Sequence, residues 1–425
     1  MQDLQPQPEK VIIAGISRGR DDFEYTMTEL VELAKANNYD VVGEVRQNLD
    51  RSTAAYYFGS GKVAEIKELA DASDAPTVLV NDELSPSQLR NLEREIKHHI
   101  IDRTQLILEI FANRAKSKTA KTQVEIAQLQ YALPRLHPSA NKLDQQGGGG
   151  GLANRGAGET KLEMDKRVLN KRISHLRQDL KDADIGEEVR RAKRKANELP
   201  TVALVGYTNA GKSTTMNGLL ELFSDHPETK QVFEKDMLFA TLDTSVRQIS
   251  LPDKRKFLLS DTVGFVSKLP HTLVDAFKAT LAEAANADLL IQVVDYSDEH
   301  YQDMMQVTQT TLESIGITDI PMIVAYNKAD KREGATYPEI NGDDLIYSAK
   351  DPASLQKLVD LIKAHVFAND QINTYLVPFD QGQVVDFINR ETSVQATDYT
   401  PEGTRLTTTV SQIQAGQLRK FLVEE

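Results

Sequence analysis

The chain has 425 residues, a length that favours two to four domains, each able to bury a core of its own. It contains no cysteine, which excludes disulfide frameworks, thiolate zinc sites and cysteine nucleophiles, and which suits a reducing compartment. The first residues lack the basic and apolar regions of a secretory signal, and no apolar run approaches the roughly 18 residues that span a bilayer. We therefore expect a cytoplasmic protein with no membrane span.

The formal net charge of −13 is unevenly distributed along the chain. Residues 112–144 and 151–199 together hold 19 basic and 11 acidic residues, a net charge of +8 that leaves −21 for the rest. A local basic stretch on an acidic protein suits docking on nucleic acid, because steering depends on the local field. The alternative is that these charges lie on the solvated faces of helices, and composition does not decide between the two.

Residues 1–116 are predicted to form a small α/β domain, because short β-branched runs alternate with amphipathic segments. The predicted strands, which would form a mainly parallel sheet, are Val11–Ile16, Val41–Val45, Thr77–Val80 and His99–Ile101. The predicted helices are Glu24–Asn37, Gly61–Ala72 and Ser85–Ile96. Ser85-Pro86 supplies a cap and a proline at the start of the third helix.

Residues 117–199 are predicted to form a helical hairpin. A helical pattern over 104–136 is followed by a loop with five consecutive glycines at 147–151, which cannot pack a core. The next helical segment has apolar residues at heptad spacing, namely Leu162, Leu169, Ile173, Leu176, Leu180 and Ala183. We expect the two helices to pack antiparallel, with the glycine loop at one exposed end.

Residues 200–367 are predicted to form a doubly wound α/β domain that binds its ligand at the carboxyl ends of the strands. The predicted strands are Val202–Val205, Lys256–Ser260, Asp288–Val294, Pro321–Tyr326 and Asp344–Tyr347. The predicted helices are Lys212–Leu222, Thr272–Ala285, Tyr301–Ile315 and Pro352–Ala364. Residues 368–425 are predicted to form a small α+β tail domain with a threonine-rich strand at Leu406–Val410.

A glycine-rich motif directly follows the strand at Val202–Val205. It reads Gly206-Tyr-Thr-Asn-Ala-Gly211-Lys-Ser-Thr214 and fits G-x-x-x-x-G-K-[ST], a loop whose backbone N–H groups wrap nucleotide phosphates. The pattern assigns Lys212 to the β- and γ-phosphates and the Ser213 hydroxyl to Mg²⁺. The candidate phosphate-binding residues are Gly206, Tyr207, Thr208, Asn209, Ala210, Gly211, Lys212, Ser213 and Thr214.

Three further motifs predict that the ligand is GTP. In Asp261-Thr-Val-Gly264 the carboxylate would hold Mg²⁺ and the Gly264 N–H would meet the γ-phosphate. In Asn327-Lys328-Ala-Asp330 the Asp330 carboxylate would accept hydrogen bonds from guanine N1–H and N2–H₂, which adenine cannot offer. The third motif, Ser348-Ala349-Lys350, would support the base, with the Ala349 N–H serving guanine O6.

The residues expected to act in hydrolysis lie close to these motifs. The candidate catalytic residues are Lys212, Thr241 and Gly264, and the candidate metal ligands are Ser213, Thr241 and Asp261. Thr241 is the candidate switch threonine that closes on Mg²⁺, with Thr214 and Thr244 as competitors. The position after Gly264 holds Phe265, whose apolar side chain cannot orient the attacking water. We therefore predict slow intrinsic hydrolysis that a partner accelerates.

Asn209, inside the phosphate loop, has two interpretations. Asparagine tolerates the turn conformations of such a loop, and this alone can account for its presence. The alternative is that Asn209 is a ligand for a monovalent cation such as K⁺, as in GTPases with asparagine at this place.

Longer motifs occur across almost the whole chain. They are Tyr57-Phe-Gly-Ser-Gly-Lys62, Asn81-Asp-Glu-Leu-Ser85, Asp102-Arg-Thr-Gln-Leu-Ile107, Gln123-Val-Glu-Ile-Ala-Gln-Leu-Gln-Tyr131, Arg155-Gly-Ala-Gly-Glu-Thr160, Asp261-Thr-Val-Gly-Phe265 and Leu269-Pro-His-Thr-Leu-Val-Asp-Ala-Phe277. These motifs resemble those of HflX, a family of GTPases related to translation factors. The resemblance implies binding to the large ribosomal subunit and its RNA, and splitting of stalled or idle ribosomes, often under stress. It also implies that the glycine-rich hairpin loop reaches toward the peptidyl transferase centre.

The chain departs from the family pattern in its glycine-rich loop and in the first switch region. The departures are Leu152-Ala-Asn154, Lys161 and Thr244-Ser245. A separate motif, Gly59-Ser-Gly61-Lys62, lacks the upstream glycine and the following Ser/Thr of a phosphate loop, which favours a turn at a helix start. The resemblance leaves open an N-terminal ATP site there.

Taken with the motifs, the resemblance predicts a monomeric enzyme that hydrolyses GTP to GDP and phosphate with Mg²⁺ and splits ribosomes. The alternative function is a GTP-gated RNA-binding scaffold or ribosome-assembly factor.

Overall fold

The computed structural model describes residues 7–19, 22–136, 163–183, 199–223, 238–239, 244–269 and 281–423. Contacts divide the chain into two units. The first comprises Met1–Lys193, Lys235–Asp243 and Gly264–Thr280, and the second comprises Arg194–Glu234, Thr244–Val263 and Leu281–Glu425. Thr241, the five glycines at 147–151 and most of the predicted helix Thr272–Ala285 lie outside the described residues. No helix in the described part of the chain is long and apolar enough to cross a membrane.

The first unit contains a four-stranded, wholly parallel sheet, as the sequence predicted. Its strands are β1 (Glu9–Ser17), β2 (Tyr39–Asn48), β3 (Thr77–Val80) and β4 (His99–Asp102). They are arranged in the order β2-β1-β3-β4, and all three pairings are parallel. The two central strands carry continuous apolar runs, since helices cover both faces of such a sheet.

Three helices connect these strands: α1 (Phe23–Ala36), α2 (Ser60–Ala72) and α3 (Pro86–Ile96). The predicted cap at Ser85 is confirmed. Its hydroxyl accepts a hydrogen bond from the Gln88 N–H at 3.3 Å, and the Gln88 side chain accepts one from the Ser85 N–H at 3.0 Å. This reciprocal pair satisfies two backbone donors at the helix start.

The helical pattern over 104–136 consists of two helices, α4 (Arg103–Arg114) and α5 (Lys118–Ala132). The helix is interrupted between Arg114 and Lys118. The Ser117 hydroxyl caps α5 by accepting a hydrogen bond from the Ala120 N–H at 3.1 Å. A further helix, α6, covers residues 163–183. Ile173 and Leu176 of α6 are buried against Ile126 of α5, whereas Ala183, which fits the same heptad spacing, is exposed. The apolar seam is therefore shorter than the spacing suggested.

The second unit contains a seven-stranded sheet in the order β10-β11-β9-β8-β5-β7-β6. Its strands are β5 (Thr201–Val205), β6 (Ser245–Ser250), β7 (Lys256–Asp261), β8 (Leu289–Asp295), β9 (Met322–Asn327), β10 (Glu339–Asn341) and β11 (Asp344–Ile346). The five central strands are parallel, and the two edge strands, β6 and β10, are antiparallel to their neighbours. The doubly wound sheet was predicted, but the two edge strands were not.

Four helices of the second unit pack with this sheet or connect its strands. They are α7 (Lys212–Phe223), α8 (Ala282–Ala285), α9 (Tyr301–Ser314) and α10 (Pro352–Val366). Apolar residues from β5, β7 and β8 form one buried cluster with residues of α7 and α10. This core holds the carboxyl ends of the parallel strands at one edge of the sheet, where the predicted motifs lie.

The C-terminal residues of the second unit form a three-stranded antiparallel sheet. Its strands are β12 (Gln371–Val377), β13 (Ser393–Thr400) and β14 (Gly403–Val410), in the order β12-β14-β13. Helices α11 (Gly382–Glu391) and α12 (Gln412–Leu418) contribute to its core. The threonine-rich strand predicted at Leu406–Val410 is the central strand β14, and its two partners were not predicted.

Buried polar side chains fill the carboxyl end of the first unit's sheet. Arg103, which follows β4, is 1% exposed and pairs with Glu29 of α1, and its guanidinium also donates to Asn81 Oδ1 at 2.8 Å. Ser267 joins this pair: Arg103 donates to its hydroxyl at 3.0 Å, and that hydroxyl donates to Glu29. Each buried charge is thus paired and hydrogen-bonded, as burial requires.

Candidate functional site

The two glycines of the phosphate loop have backbone conformations that a side chain would disturb. Gly206 has φ +142°, and a Cβ there would lie 2.2 Å from the backbone oxygen of Val293. Gly211 has φ +98°, and a Cβ there would lie 2.1 Å from Asn327 Nδ2. Both positions therefore need glycine, since such φ values are strained for L-residues and the space is already filled.

Lys212 is buried at the start of α7, and its ammonium group lies over the phosphate loop. Its Nζ donates to the backbone oxygens of Gly206 at 3.1 Å and Tyr207 at 2.8 Å. Burial lowers the pKa of Lys212 to about 8, and the nearby Asp261 carboxylate opposes this shift. A buried ammonium surrounded by backbone dipoles is a group that phosphate oxygens would stabilise.

Ser213 and Asp261 come together although they are far apart in sequence. Ser213 Oγ donates to Asp261 Oδ2 at 2.6 Å, and the Asp261 side chain, at the end of β7, is fully buried. A hydroxyl and a carboxylate side by side are hard oxygen ligands of the kind Mg²⁺ prefers, together with waters and substrate phosphates. The residues present therefore fit a Mg²⁺ ion. Among the described residues there is no group of three His, Cys, Asp or Glu side chains that could hold a metal ion without such help.

Asn327, the last residue of β9, joins two of the predicted loops. Its Nδ2 donates to the Ala210 backbone oxygen in the phosphate loop at 2.9 Å, and its Oδ1 accepts from the Ala349 N–H at 2.9 Å. One buried amide therefore joins three motifs, of which the phosphate loop lies more than a hundred residues before the other two. Thr215 adds a second connection, because its hydroxyl donates to the Gly211 oxygen at 2.9 Å and lies 2.7 Å from the Tyr347 hydroxyl.

Asp330, the predicted guanine-reading residue, is exposed but held in position. Ser348 Oγ donates to Asp330 Oδ1 at 2.8 Å, and this contact holds the exposed carboxylate on the loop. Lys350 is exposed beside it, whereas Ser348 and Ala349 are buried. The arrangement presents one carboxylate at a surface loop and supports it from behind.

The remaining predicted residues differ in how far the structure describes them. Tyr207, Thr208 and Ala210 are buried in the loop. Thr214 is half-buried in the first turn of α7, and Gly264 follows β7 by three residues. Phe265 is 3% exposed, so its apolar side chain is packed away from solvent. Thr241 lies outside the described residues and stays a prediction.

The two motifs with alternative interpretations have local explanations. Asn209 is exposed and has φ +60°, a left-handed conformation in which asparagine is favoured. Gly59 is the N-cap of α2, and Lys62 in the first turn pairs with Glu65 at 2.7 Å. The second motif is thus a turn at a helix start, the interpretation that the sequence favoured. Potassium binding at Asn209 stays a prediction, and comparing turnover in potassium and sodium tests it.

Sequence reasoning missed Asp295, the last residue of β8. Its Oδ2 accepts from Lys328 Nζ at 2.7 Å, and its Oδ1 accepts from the N–H and hydroxyl of Ser297 at 3.1 and 2.6 Å. The signal was present, because a polar residue at the carboxyl end of a buried strand is what marked Asp261 and Asn327 as candidates.

A polar cleft of about 1090 Å³ lies elsewhere in the second unit, between the edge of the seven-stranded sheet and the C-terminal residues. Lys256 and Glu391, which line it, form an ion pair at 3.1 Å. None of the described nucleotide-site residues lines this cleft. The nucleotide site is therefore defined by its loops and their contacts, and cavity size does not identify it.

Three known sequence families match consecutive parts of the chain between residues 24 and 328. The sequence family described as "GTP-binding GTPase N-terminal" matches residues 24–112, "GTP-binding GTPase Middle Region" matches 114–194, and "50S ribosome-binding GTPase" matches 201–328. A solved structure of a GTP-binding protein from Sulfolobus solfataricus in complex with GDP is 26% identical, with a TM-score of 0.43, and covers 84% of this chain and 99% of that one.

Curated relatives cover the chain almost from end to end. "GTPase HflX" of Caldanaerobacter subterraneus subsp. tengcongensis is 38% identical over 423 residues, covering 100% of this chain and 96% of that protein. "GTPase HflX" of Escherichia coli is 36% identical over 390 residues, covering 90% of this chain and 89% of that protein. With relatives of this identity over nearly its full length, the chain belongs to the HflX family of GTPases.

Proposed function

We propose that this GTPase binds GTP and Mg²⁺ at the carboxyl edge of its seven-stranded sheet, docks on the large ribosomal subunit and splits stalled or idle ribosomes. The main support for the nucleotide site is the pair of hydrogen bonds made by the Asn327 side chain, which connect the phosphate loop to the loop at Ser348–Lys350. This contact supports one ligand lying across both loops, with phosphates at Lys212 and a base at Asp330. A guanine nucleotide carries both of these groups, the phosphates and the base.

The residues of the site would divide the work of hydrolysis among them. The phosphate loop N–H groups and Lys212 would neutralise the charge of the β- and γ-phosphates, while Ser213 and Asp261 would hold Mg²⁺. Bound there, Mg²⁺ would supply the charge that stabilises the leaving phosphate. The Thr241 hydroxyl and the Gly264 N–H would complete the shell on the γ-phosphate side. Phe265 cannot orient water, which supports a low rate until a partner orders the switch segments.

The proposal for the ribosome is supported by the family and by the charge of the hairpin. The second half of the hairpin, α6, exposes Lys166, Arg167, Lys171, Arg172 and Arg177 to solvent. The basic stretch is thus displayed on a protein of net charge −13, which favours docking of this part of the chain on RNA. The ordered state of the switch segments with GTP would bind the subunit, and hydrolysis would permit release.

The test is a sucrose-gradient profile of purified ribosomes incubated with the full chain and a non-hydrolysable GTP analogue. We expect loss of intact ribosomes and appearance of separate subunits, with the protein on the large one. A Lys212→Ala variant is the control, because it should bind the analogue poorly and leave the profile unchanged. Intact ribosomes at saturating protein would contradict splitting, and co-migration with subunits alone would favour the RNA-binding scaffold or assembly factor.

A further inference from the structure

We propose that Asp295 is a positioning residue for the guanine base, acting through Lys328. Its carboxylate holds the Lys328 ammonium group so that the apolar stem of that lysine forms one wall for the base. The proposal rests on the guanine-nucleotide function and adds to it a residue that belongs to none of the four motifs.

The fold itself brings the two side chains together. Asp295 ends β8 and pairs in parallel register with Asn327, which ends β9. Lys328 is the next residue along, between Asn327, which contacts the phosphate loop, and Asp330, which faces the base. The backbone of Lys328 therefore lies at the border of the proposed base site, and its side chain extends from there. The ion pair joins Lys328 Nζ to Asp295 Oδ2 at 2.7 Å.

The Asp295 carboxylate is fixed before it meets the lysine. One oxygen accepts both the N–H and the hydroxyl of Ser297, so the other oxygen is aimed in one direction. The side chains of Lys328 and Asp295 are only 17% and 16% exposed. A pair this sheltered is screened by salt and water less than an exposed pair is.

Lys328 needs such support because its backbone is strained. It has φ +63° and ψ 27°, the left-handed conformation that is unfavourable for a residue with a side chain. Strain of this kind persists only where the surroundings determine it, and it clusters at ligand sites. Lysine stems cover apolar surface while the ammonium group seeks a polar partner. The position of Asp295 thus decides where the stem lies.

The loop after β8 makes a second contact on the other side of Asp330. Arg332 Nη1 donates to the Tyr296 backbone oxygen at 2.7 Å, and its guanidinium lies 4.0 Å from the centre of the Tyr296 ring. Residues 295 and 296 therefore hold both ends of the segment that carries the base-reading carboxylate. This second contact makes the loop a support for the whole guanine motif.

A double-mutant cycle on GDP binding tests the proposal with the full chain, measured by titration calorimetry. The variants are Asp295→Asn, Lys328→Met, which keeps an apolar stem, and the two combined. We expect Asp295→Asn to weaken GDP binding about fivefold to tenfold, and to change it less than about twofold when Lys328 is already Met. An equal loss in both backgrounds would show that Asp295 does not act through Lys328 and would overturn the proposal.

Asp298→Asn is the matched control. Asp298 lies on the same loop and accepts from the His300 N–H at 2.8 Å, so its replacement removes a similar local contact away from Lys328. We expect it to change GDP affinity less than about twofold. If it weakens GDP binding as much as Asp295→Asn does, general loosening of the loop explains the result and the proposal is wrong.

Steady-state kinetics separate positioning from catalysis. Removing a contact made equally to substrate and transition state raises KM and leaves kcat unchanged, so Asp295→Asn should raise KM for GTP alone. A fall in kcat at saturating GTP would contradict a positioning role. If the wild-type protein fails to bind GDP, the guanine-nucleotide function is wrong. If it binds GDP and Asp295→Asn binds equally well, only the role of Asp295 is wrong.

Discussion

Both parallel sheets of this chain bring polar side chains to the carboxyl ends of their strands, and the two edges are used differently. In the first unit Arg103, Glu29 and Asn81 are buried, and Arg103 donates hydrogen bonds to both of the others and to the half-buried Ser267. In the second unit glycines open the backbone, a lysine ammonium lies on carbonyl oxygens, and Asp330 stands exposed on a supported loop. The ends of parallel strands therefore carry a hydrogen-bonded polar cluster in the first unit and the candidate nucleotide site in the second.

The comparison teaches that a cluster of polar residues at a sheet edge is not by itself a site. In the second unit, neighbouring residues hold hydrogen-bond donors and acceptors in position and leave them able to contact a ligand. The two Gly-Lys pairs show the same difference. Lys212 is buried under a constrained glycine loop, whereas Lys62 pairs with Glu65 on the surface of a helix.

The largest effect is expected at the buried Arg103–Glu29 pair of the first unit. Arg103→Met leaves the Glu29 carboxylate buried without its guanidinium partner, which should lower the free energy of unfolding of the first unit by about 3–5 kcal/mol. Urea denaturation of the full chain measures the loss. Arg46→Met is the control, because the Arg46 side chain is 45% exposed and its ion pairs with Glu24 and Glu44 should contribute about 1 kcal/mol or less. Equal losses in the two variants would contradict the burial argument.

In the candidate nucleotide site of the second unit, substitutions in the phosphate loop should have the largest effect on GDP binding. Gly211→Ala places a Cβ 2.1 Å from Asn327 Nδ2 at φ +98°, so the amide that joins the loops must move. We expect GDP binding to weaken about 100-fold, or about 2.7 kcal/mol. Gly61→Ala, at the other Gly-Lys pair, has open space around the new Cβ and should leave GDP binding unchanged. Retained affinity in Gly211→Ala would refute the geometry of this loop.

The buried ammonium of Lys212 should make stability depend on pH. Its pKa is lowered to about 8 from the ordinary 10.5, so between these values the unfolded chain binds more protons than the folded one. In protein without nucleotide, Lys212 should therefore add to the free energy of unfolding a contribution that rises with pH across this window, by on the order of 2 kcal/mol. Lys212→Met should remove that rise in urea unfolding, whereas Lys62→Met should retain it. An identical pH profile for wild type and Lys212→Met would contradict the lowered pKa.

The smallest effect concerns the base. Asp330→Asn exchanges one carboxylate oxygen for an amide, which should weaken GTP binding about tenfold and favour xanthosine triphosphate, whose base presents the opposite hydrogen-bonding group. Competition binding with the two nucleotides measures the preference. Ser348→Ala, which removes only the support at 2.8 Å, should weaken GTP binding less than Asp330→Asn does. An undiminished preference for GTP in Asp330→Asn would refute its role.

The sequence by itself determined the elements with strong local signals. Buried parallel strands are continuous apolar runs, and the glycine, lysine and carboxylate motifs sit directly after them, so both sheets and the order of the site loops were predictable. The cap at Ser85 was also predictable, because Ser85-Pro86 places a cap residue and a proline at the helix start. The edge strands β6, β10, β12 and β13 were missed, because each has few buried residues and so lacks a clear apolar pattern.

Only the tertiary structure decided which polar groups face a ligand and which satisfy each other. Asp295 and Lys328 are distant in sequence and meet because β8 and β9 pair in parallel. Glu29, Arg103 and Ser267 come from three distant segments, and no spacing along the chain predicts their contact. A sequence motif indicates the chemistry of a residue and its neighbours within a few positions along the chain. Whether its charge is free for a nucleotide depends on neighbours that only the folded sheet supplies.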